Sequence, residues 1–285
     1  MSDPLSSDPS GSEGRGRSSA RGWWWLVAAV GALAVLVLLV AEPWSVQTEP
    51  NPTGAATQSP TPPAPEPSPT PSVSVAPPGS DVVFDATTSL GLFVTAADLV
   101  ADVPAAKSGV TEQLTSGELP WGLPPATAVE PDTCTLAVTV VAAQPAFYDA
   151  RKWGNDTMDF QQDLTVLPDP PAAREAFREL VTTIDACPTY REVSNGVEGA
   201  QWTAQPAIEG QGVYPSIVLQ IDRTVGGATI PGYEGQMLVG NTIVSWTAQA
   251  FSTAPPQTAL TTLGGPESLS AMVQGRAQLA VRALG

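Results

Sequence analysis

The chain has 285 residues, of which 30 are proline, two are cysteine and none is histidine, and its 28 acidic and 12 basic side chains leave a net charge of −16. Such a surface repels nucleic acid, whose binding needs phosphates neutralised by Lys and Arg. Without histidine the Ser-His-Asp and Cys-His routes are closed, as are the usual zinc sites.

Residues 1–22 are rich in Ser, Gly, Asp and Arg and nearly devoid of apolar side chains, so they cannot bury a core and read as a disordered stub. Residues 23–41 then form an uncharged apolar run. As a helix at about 1.5 Å per residue the run is about 28 Å long, close to the hydrocarbon thickness of a bilayer. Trp23, Trp24 and Trp25 at one end and Trp44 beyond the other place amphipathic rings at both interfaces. Arg15, Arg17 and Arg21 precede the run and no basic residue follows before Lys107, which predicts a cytoplasmic N-terminus and an extracellular remainder. No A-x-A cleavage pattern ends the run, so an uncleaved signal-anchor is favoured over a removed signal peptide.

The next segment, 42–80, holds 12 prolines among many Ser and Thr, as in TPPAPEPSPTPS, and predicts an extended polyproline II linker. Residues 81–285 are the right length for one extracellular domain. Its net charge is near −13, from 22 acidic and 9 basic residues.

Within the domain, the first fifty residues read as loosely structured, apart from a capping box at Thr95-Ala-Ala-Asp98 that opens a helix to about Val103. From Cys134 the pattern is regular. Leu136 to Val141 is a β-branched run that reads as a strand, and Met158, Phe160, Leu164 and Val166 alternate with Asp159, Gln161, Asp163 and Thr165, the period of a half-buried strand. Asp169 caps a helix with Pro170 at its first position, and Ala173, Phe177, Leu180, Ile184 and Cys187 make its apolar stripe. Strands follow at about 198–204, 216–222, 234–239 and 242–251. Gly240-Asn241 joins the last two as a hairpin. A final helix, 266–283, carries Leu269, Met272, Val273, Leu279, Ala280 and Ala283 as its apolar positions. The expected class is α+β, a twisted antiparallel sheet packed with two main helices.

Cys134 and Cys187 are the only cysteines, and in an oxidising compartment they are expected to pair. Closing their loop should stabilise the fold by about 4 kcal/mol. Asp156, Asp159 and Asp163 look like an acidic cluster, but Asp159 and Asp163 sit about 13 Å apart along one strand face, too far for a glycosidase pair, and read as a solvated face. The triplet lacks the spacing of a calcium loop, and no nucleotide-binding or nucleophile-elbow motif is present, so neither a metal nor another cofactor is expected. Asn155-Asp-Thr157 matches a glycosylation sequon by chance. Among the aromatic residues, Trp246 lies on an apolar strand and reads as core, whereas Trp202 and Tyr214 lie in less apolar surroundings and are the candidate ligand-binding residues.

Four stretches occur in order: Leu92-Phe-Val-Thr-Ala-Ala-Asp98, the amphipathic helix 172–187 with its terminal Cys, Val239-Gly-Asn-Thr-Ile-Val244 and the closing Ala-rich helix. In this order the segment resembles the PknH-like extracellular sensor domain of actinobacteria. The resemblance implies a twisted antiparallel sheet with helices around a cleft that receives a ligand rather than catalyses. It also implies a stand-alone anchored member, since no kinase accompanies it here, and one that departs from the family in having no second disulfide after Cys187. The expected function is a membrane-anchored ligand-binding or sensor-like module. Its expected partners are a small molecule, a cell-wall or lipid component or another membrane protein. A carboxylate-dependent wall hydrolase and a structural surface protein are the alternatives.

Overall fold

The computed structural model describes residues 79–195, 197–210 and 212–285. The stub, the apolar run 23–41 and nearly all of the linker lie outside the described residues. Among the described residues no helix is long and apolar enough to cross a membrane.

Ten strands form one sheet: β1 (Thr111–Leu114), β2 (Thr127–Glu130), β3 (Phe147–Gly154), β4 (Met158–Val166), β5 (Thr189–Ser194), β6 (Val197–Ala204), β7 (Ile208–Glu209), β8 (Ser216–Val225), β9 (Ala228–Val239) and β10 (Thr242–Ala250). Their order is β1-β3-β4-β10-β9-β8-β6-β5-β2, with the short β7 beside β8, and every pairing is antiparallel. Among the described residues five α-helices accompany it: α1 (Ala96–Asp102), α2 (Thr135–Thr139), α3 (Pro170–Ala186), α4 (Pro256–Thr261) and α5 (Pro266–Leu284). The α+β class and the antiparallel sheet agree with the sequence reading.

The sheet has a core on each face. On one, Met158, Phe160 and Leu164 of β4, Val244, Trp246 and Ala248 of β10 and Met237 and Val239 of β9 meet α5 through Leu269, Met272, Val273 and Ala277. Phe93, Trp153, Phe160 and Trp246 form a chain of ring contacts at 6.1 to 6.5 Å through this core. Gly235 makes room for the last of them, since a Cβ there would come within 2.2 Å of the Trp246 ring. On the other face, the stripe Ala173, Phe177, Leu180 and Ile184 of α3 packs against Ile217, Leu219 and Ile221 of β8. Asp169 caps α3 by accepting from the Ala172 N–H, with Pro170 at the first position, as the sequence predicts.

The hairpin between β9 and β10 turns at Gly240, with φ of 57°, and Asn241. Asn241 does more than turn the chain. Its buried side chain accepts from the Phe84 N–H and donates to the carbonyls of Phe84 and Leu167, fastening the start of the domain to the hairpin. Asn241→Ala leaves buried peptide groups unpaired and is expected to cost about 2 kcal/mol, measured by urea unfolding.

Three expectations are corrected. Residues 136–141 are not a strand: Thr135–Thr139 is the short helix α2, following a 3-10 turn at Asp132–Cys134. A short apolar β-branched run fits helix or strand by period alone, and packing of Ala137, Val140 and Val141 into the second core decides it. The first fifty residues are not loose, because Phe84, Leu92, Phe93, Val94, Leu99 and Val103 are all buried in the first core. Their apolar residues are spread over short elements with no sustained period, although the Thr95/Asp98 capping box of α1 is present. In the last helix, Leu279 is 51% exposed and Ala283 is exposed, because the buried stripe runs through Leu269, Met272, Val273, Ala277 and Ala280 instead.

The disulfide Cys134–Cys187 is formed, with Cα atoms 5.7 Å apart, and ties the turn before α2 to the residue after α3. The Asn155 side chain holds a turn, donating to the carbonyls of Ala105 and Gly109.

Candidate functional site

The face that carries α3 is not covered along its whole width. Beyond the helix, β3, β4, β10 and β9 present polar side chains in register. Asp163, Ser245 and Gln236 form one row across three strands, and Gln161, Thr247 and Glu234 form the next. These residues are the floor of a cleft of about 300 Å³. One wall is Tyr190 of β5 and Trp202 of β6, whose rings stack at 5.3 Å and 13°, with Glu192 beside them and the Arg223 guanidinium 5.6 Å from the Trp202 ring.

The roof comes from residues 119–124 and from α2. This stretch belongs to the connection 115–126 between β1 and β2, which are consecutive in the chain yet lie at opposite edges of the sheet. The connection therefore passes over the whole cleft face. It is fixed at the β3 side by Asp149, which accepts from the Gly117 N–H and the Ser116 hydroxyl, and further along by the Trp121 indole N–H donating to the Thr139 carbonyl. Beside the main cleft a second groove of about 340 Å³ shares Gln161, Glu192, Trp202 and Thr247, and adds Lys152 and Arg223. Lys152 is ion-paired with Asp159 at 2.5 Å.

The floor is a hydrogen-bonded polar network. Asp163 accepts from the Tyr148 hydroxyl at 2.9 Å and from the Gln161 amide at 3.2 Å. Glu234 accepts from the Gln236 amide at 3.2 Å, and the Ser245 hydroxyl donates to Gln236. Burial pushes the Asp163 carboxyl up to about 6; the bonds from Tyr148 and Gln161 oppose this, while the charge of Asp149 adds to it. Burial pushes Glu234 up to about 7, with Gln236 opposing and Asp163 adding. Glu192 is raised by burial and partly restored by Arg223, and Tyr148 and Tyr190 are both raised by burial. Tyr148→Phe removes a donor that favours the ionised form of Asp163. Its titration midpoint is then expected to move above about 6, as followed by carbon NMR of the carboxyl.

Asp163 is therefore not on a solvated face. Its carboxyl is enclosed because β4 is internal to the sheet and the roof crosses above it. Asp159 is held by Lys152, and Asp156 is exposed in the turn before β4. Of the two candidate ligand-binding residues, Trp202 lines the cleft. Tyr214 lies on the opposite side of the sheet, 3% exposed in the first core next to α5. The structure does not bring them together. Glu234, Gln236, Ser245 and Tyr190 were not singled out by sequence, and Tyr148, one of the aromatic residues considered for ligand binding, was not among the two candidates. The available signal was the polar half of two alternations, Asp159, Gln161 and Asp163 beside Ser245, Thr247 and Gln249, on strands that are both internal. Among the described residues no group of acidic and cysteine side chains is arranged to hold a metal ion.

No protein-family profile matches the chain, and no curated protein does. Among solved structures, it is similar to the extracellular domain of PknH from Mycobacterium tuberculosis at 13% identity and a TM-score of 0.48, over 67% of this chain and 94% of that one. It is also similar to an uncharacterized protein of Mycobacterium smegmatis, an Rv0999 ortholog, at 18% identity and a TM-score of 0.34, over 66% of this chain and 97% of that one.

Proposed function

We propose that the chain is a single-pass, membrane-anchored protein whose extracellular domain, 81–285, is a sensor-like module that binds a small ligand in the cleft beneath residues 119–124. The observation that carries this reading is the floor itself. An internal stretch of sheet presents Asp163, Gln161, Glu234, Gln236, Ser245 and Thr247 to an enclosed space instead of an apolar face to a helix. A sheet face of this kind forgoes packing energy, and a polar set beside stacked aromatic rings is the usual make-up of a binding pocket. The apolar run 23–41 serves as the tether, with the stub inside and the proline-rich linker 42–80 setting the domain's reach. The ordered stretches that resemble PknH-like sensor domains support the same reading. The ligand class is a small molecule or a component of the cell wall or its lipids, and another membrane protein is the natural recipient of the signal.

The test is retention. The full chain in detergent micelles, exposed to an extract of bacterial envelope and washed, is expected to keep one component by mass spectrometry and to unfold at a higher temperature. Trp202→Ala is expected to weaken retention at least tenfold, the effect of losing one aromatic anchor. Retention of nothing by the native chain, with no thermal shift, contradicts the reading.

One observation favours a second reading, a carboxylate-dependent hydrolase: Asp163 and Glu234 face the same cleft. By register their Cα atoms are about 12 Å apart, two strands across and two residues along, which leaves the two carboxyls free to approach one another. Cleavage of purified cell-wall glycan by the native chain, abolished in Glu234→Gln, selects this reading over binding alone.

A further inference from the structure

We propose that the ligand of this cleft carries an amino group, protonated when bound and seated on the floor at Asp163 and Glu234, with an apolar body against the roof. The inference rests on the ligand-binding reading of the cleft and specifies what enters it.

The charge of the cleft is one-sided. Asp163, Glu192 and Glu234 line it, and among the described residues no Lys or Arg does. Of these three, Glu192 has a compensating charge in Arg223. Asp163 and Glu234 take part in none of the ion pairs among the described residues. Their hydrogen bonds come from the neutral groups of Tyr148, Gln161 and Gln236. The second oxygen of Glu234 has no hydrogen-bond partner among the described residues, and it belongs to a residue that lines the cavity. The nearest basic side chains are committed elsewhere: Lys152 to Asp159, and Arg223 over the Trp202 ring.

A carboxylate withdrawn from water without a counter-charge is costly, and an incoming ammonium removes that cost. An anionic ligand would be repelled by the same groups. A neutral polyol would find donors and acceptors but leave both charges unmatched. The opposite surface selects the rest of the molecule, since Leu119, Pro120, Leu123, Val138 and Val140 face the floor from the roof. The ligand is thus an amine with an aliphatic or aromatic body.

Affinity should follow the ionisation of the floor. The groups that face the two carboxyls are Tyr148 from β3, Gln161 from β4, Gln236 from β9, Ser245 and Thr247 from β10 and Tyr190 and Glu192 from β5, while the charge of Asp149 acts on Asp163 and that of Arg223 on Glu192. In the empty cleft Asp163 titrates at about 6 and Glu234 at about 7. An alkylamine stays protonated far above this range. Amine affinity therefore rises between pH 5 and pH 8 as the carboxyls lose their protons, and affinity for the matching alcohol stays level.

The experiment is titration calorimetry of the full chain in lipid nanodiscs with benzylamine, benzyl alcohol and methyl glucoside at pH 5, 6.5 and 8. At pH 8 benzylamine is expected to bind at least tenfold more tightly than benzyl alcohol. That preference should vanish at pH 5 and in Asp163→Asn/Glu234→Gln, whose fold is verified by circular dichroism. Equal binding of amine and alcohol, a preference that survives in the double variant, or binding of the glucoside alone overturns the proposal. Binding of no probe also overturns it. If the same preparation still retains an envelope component, only the amine is refuted; if it retains nothing, the cleft reading fails as well.

Discussion

Removing the disulfide by Cys134→Ala/Cys187→Ala is expected to lower the stability of the domain by about 4 kcal/mol. The bridge closes a loop with a sequence separation of 53, and freeing that loop restores its conformational entropy to the unfolded chain. Two further losses fall on the native state. Cys134 and Cys187 are 1% and 5% exposed, so alanine leaves small cavities in the second core. The bridge also holds the turn before α2 against the end of α3, and α2 itself lines the cleft through Ala137, Val138 and Thr139. Urea unfolding of oxidised native protein against the double variant measures the effect. A loss under about 1 kcal/mol would mean that the packing of Phe177, Leu180 and Ile184 alone fixes α3. The variant should also lose the hydrogen bond from Trp121 to Thr139 more readily, which Trp121 fluorescence would report.

Neutralising the floor acts in the opposite direction. Asp163→Asn/Glu234→Gln is expected to stabilise the domain at pH 8 by about 3 kcal/mol, at about 1.4 kcal/mol for each unit by which the folded state raises a carboxyl, discounted because both residues are partly open to the cleft. Both carboxyls titrate higher in the folded protein than their ordinary values of 3.8 and 4.5. Between those values and about 7 the native state binds protons that the unfolded chain has released. The native protein is then most favoured by these groups below pH 4, loses that support as pH rises, and carries the full penalty above about 7. The double variant should lack this descending limb. Thermal melts from pH 4.5 to pH 8 test it, and parallel curves for the two proteins would show that the carboxyls are better solvated than the cleft implies. A site that weakens its own fold in this way is what binding function ordinarily imposes on a scaffold.

The sheet was legible where period and punctuation agree. Alternation over β4 put Met158, Phe160 and Leu164 inward, Gly240-Asn241 marked the hairpin, and Asp169-Pro170 marked the start of α3. The short strands β1, β2 and β5 were missed because four to six residues carry too little pattern, the eight-residue β3 was missed because Asp149, Arg151 and Lys152 mask its alternation, and β2 pairs with β5 across 61 positions of sequence at Glu130 and Arg191. The cleft was legible only in part. Trp202 stood out as an aromatic residue in polar surroundings, and so did Tyr214, yet they lie on opposite sides of the sheet. No local signal distinguishes them, because the distinction depends on α5 covering one side and on residues 119–124 standing off the other. Asp163 read as solvated for the same reason. Its neighbours along the strand are polar, and the roof residues 119–124 that enclose it come from about forty positions earlier in the chain.

That enclosing connection is folded at both ends, where the Glu118 N–H donates to the Thr115 carbonyl and the Thr127 N–H to the Pro124 carbonyl. Its thirteen peptide steps from Leu114 to Thr127 would reach about 44 Å if fully extended, and the two turns keep part of that length in reserve. It acts as a strap whose slack is held at its two ends. Its contour length sets a ceiling on how high the roof can rise, and below that ceiling the headroom above Asp163 and Glu234 is held by the fastenings of Gly117 to Asp149 and of Trp121 to Thr139. Two residues added beside Gly122 would lengthen the strap without touching the floor, and two removed would be taken up by opening one of the turns.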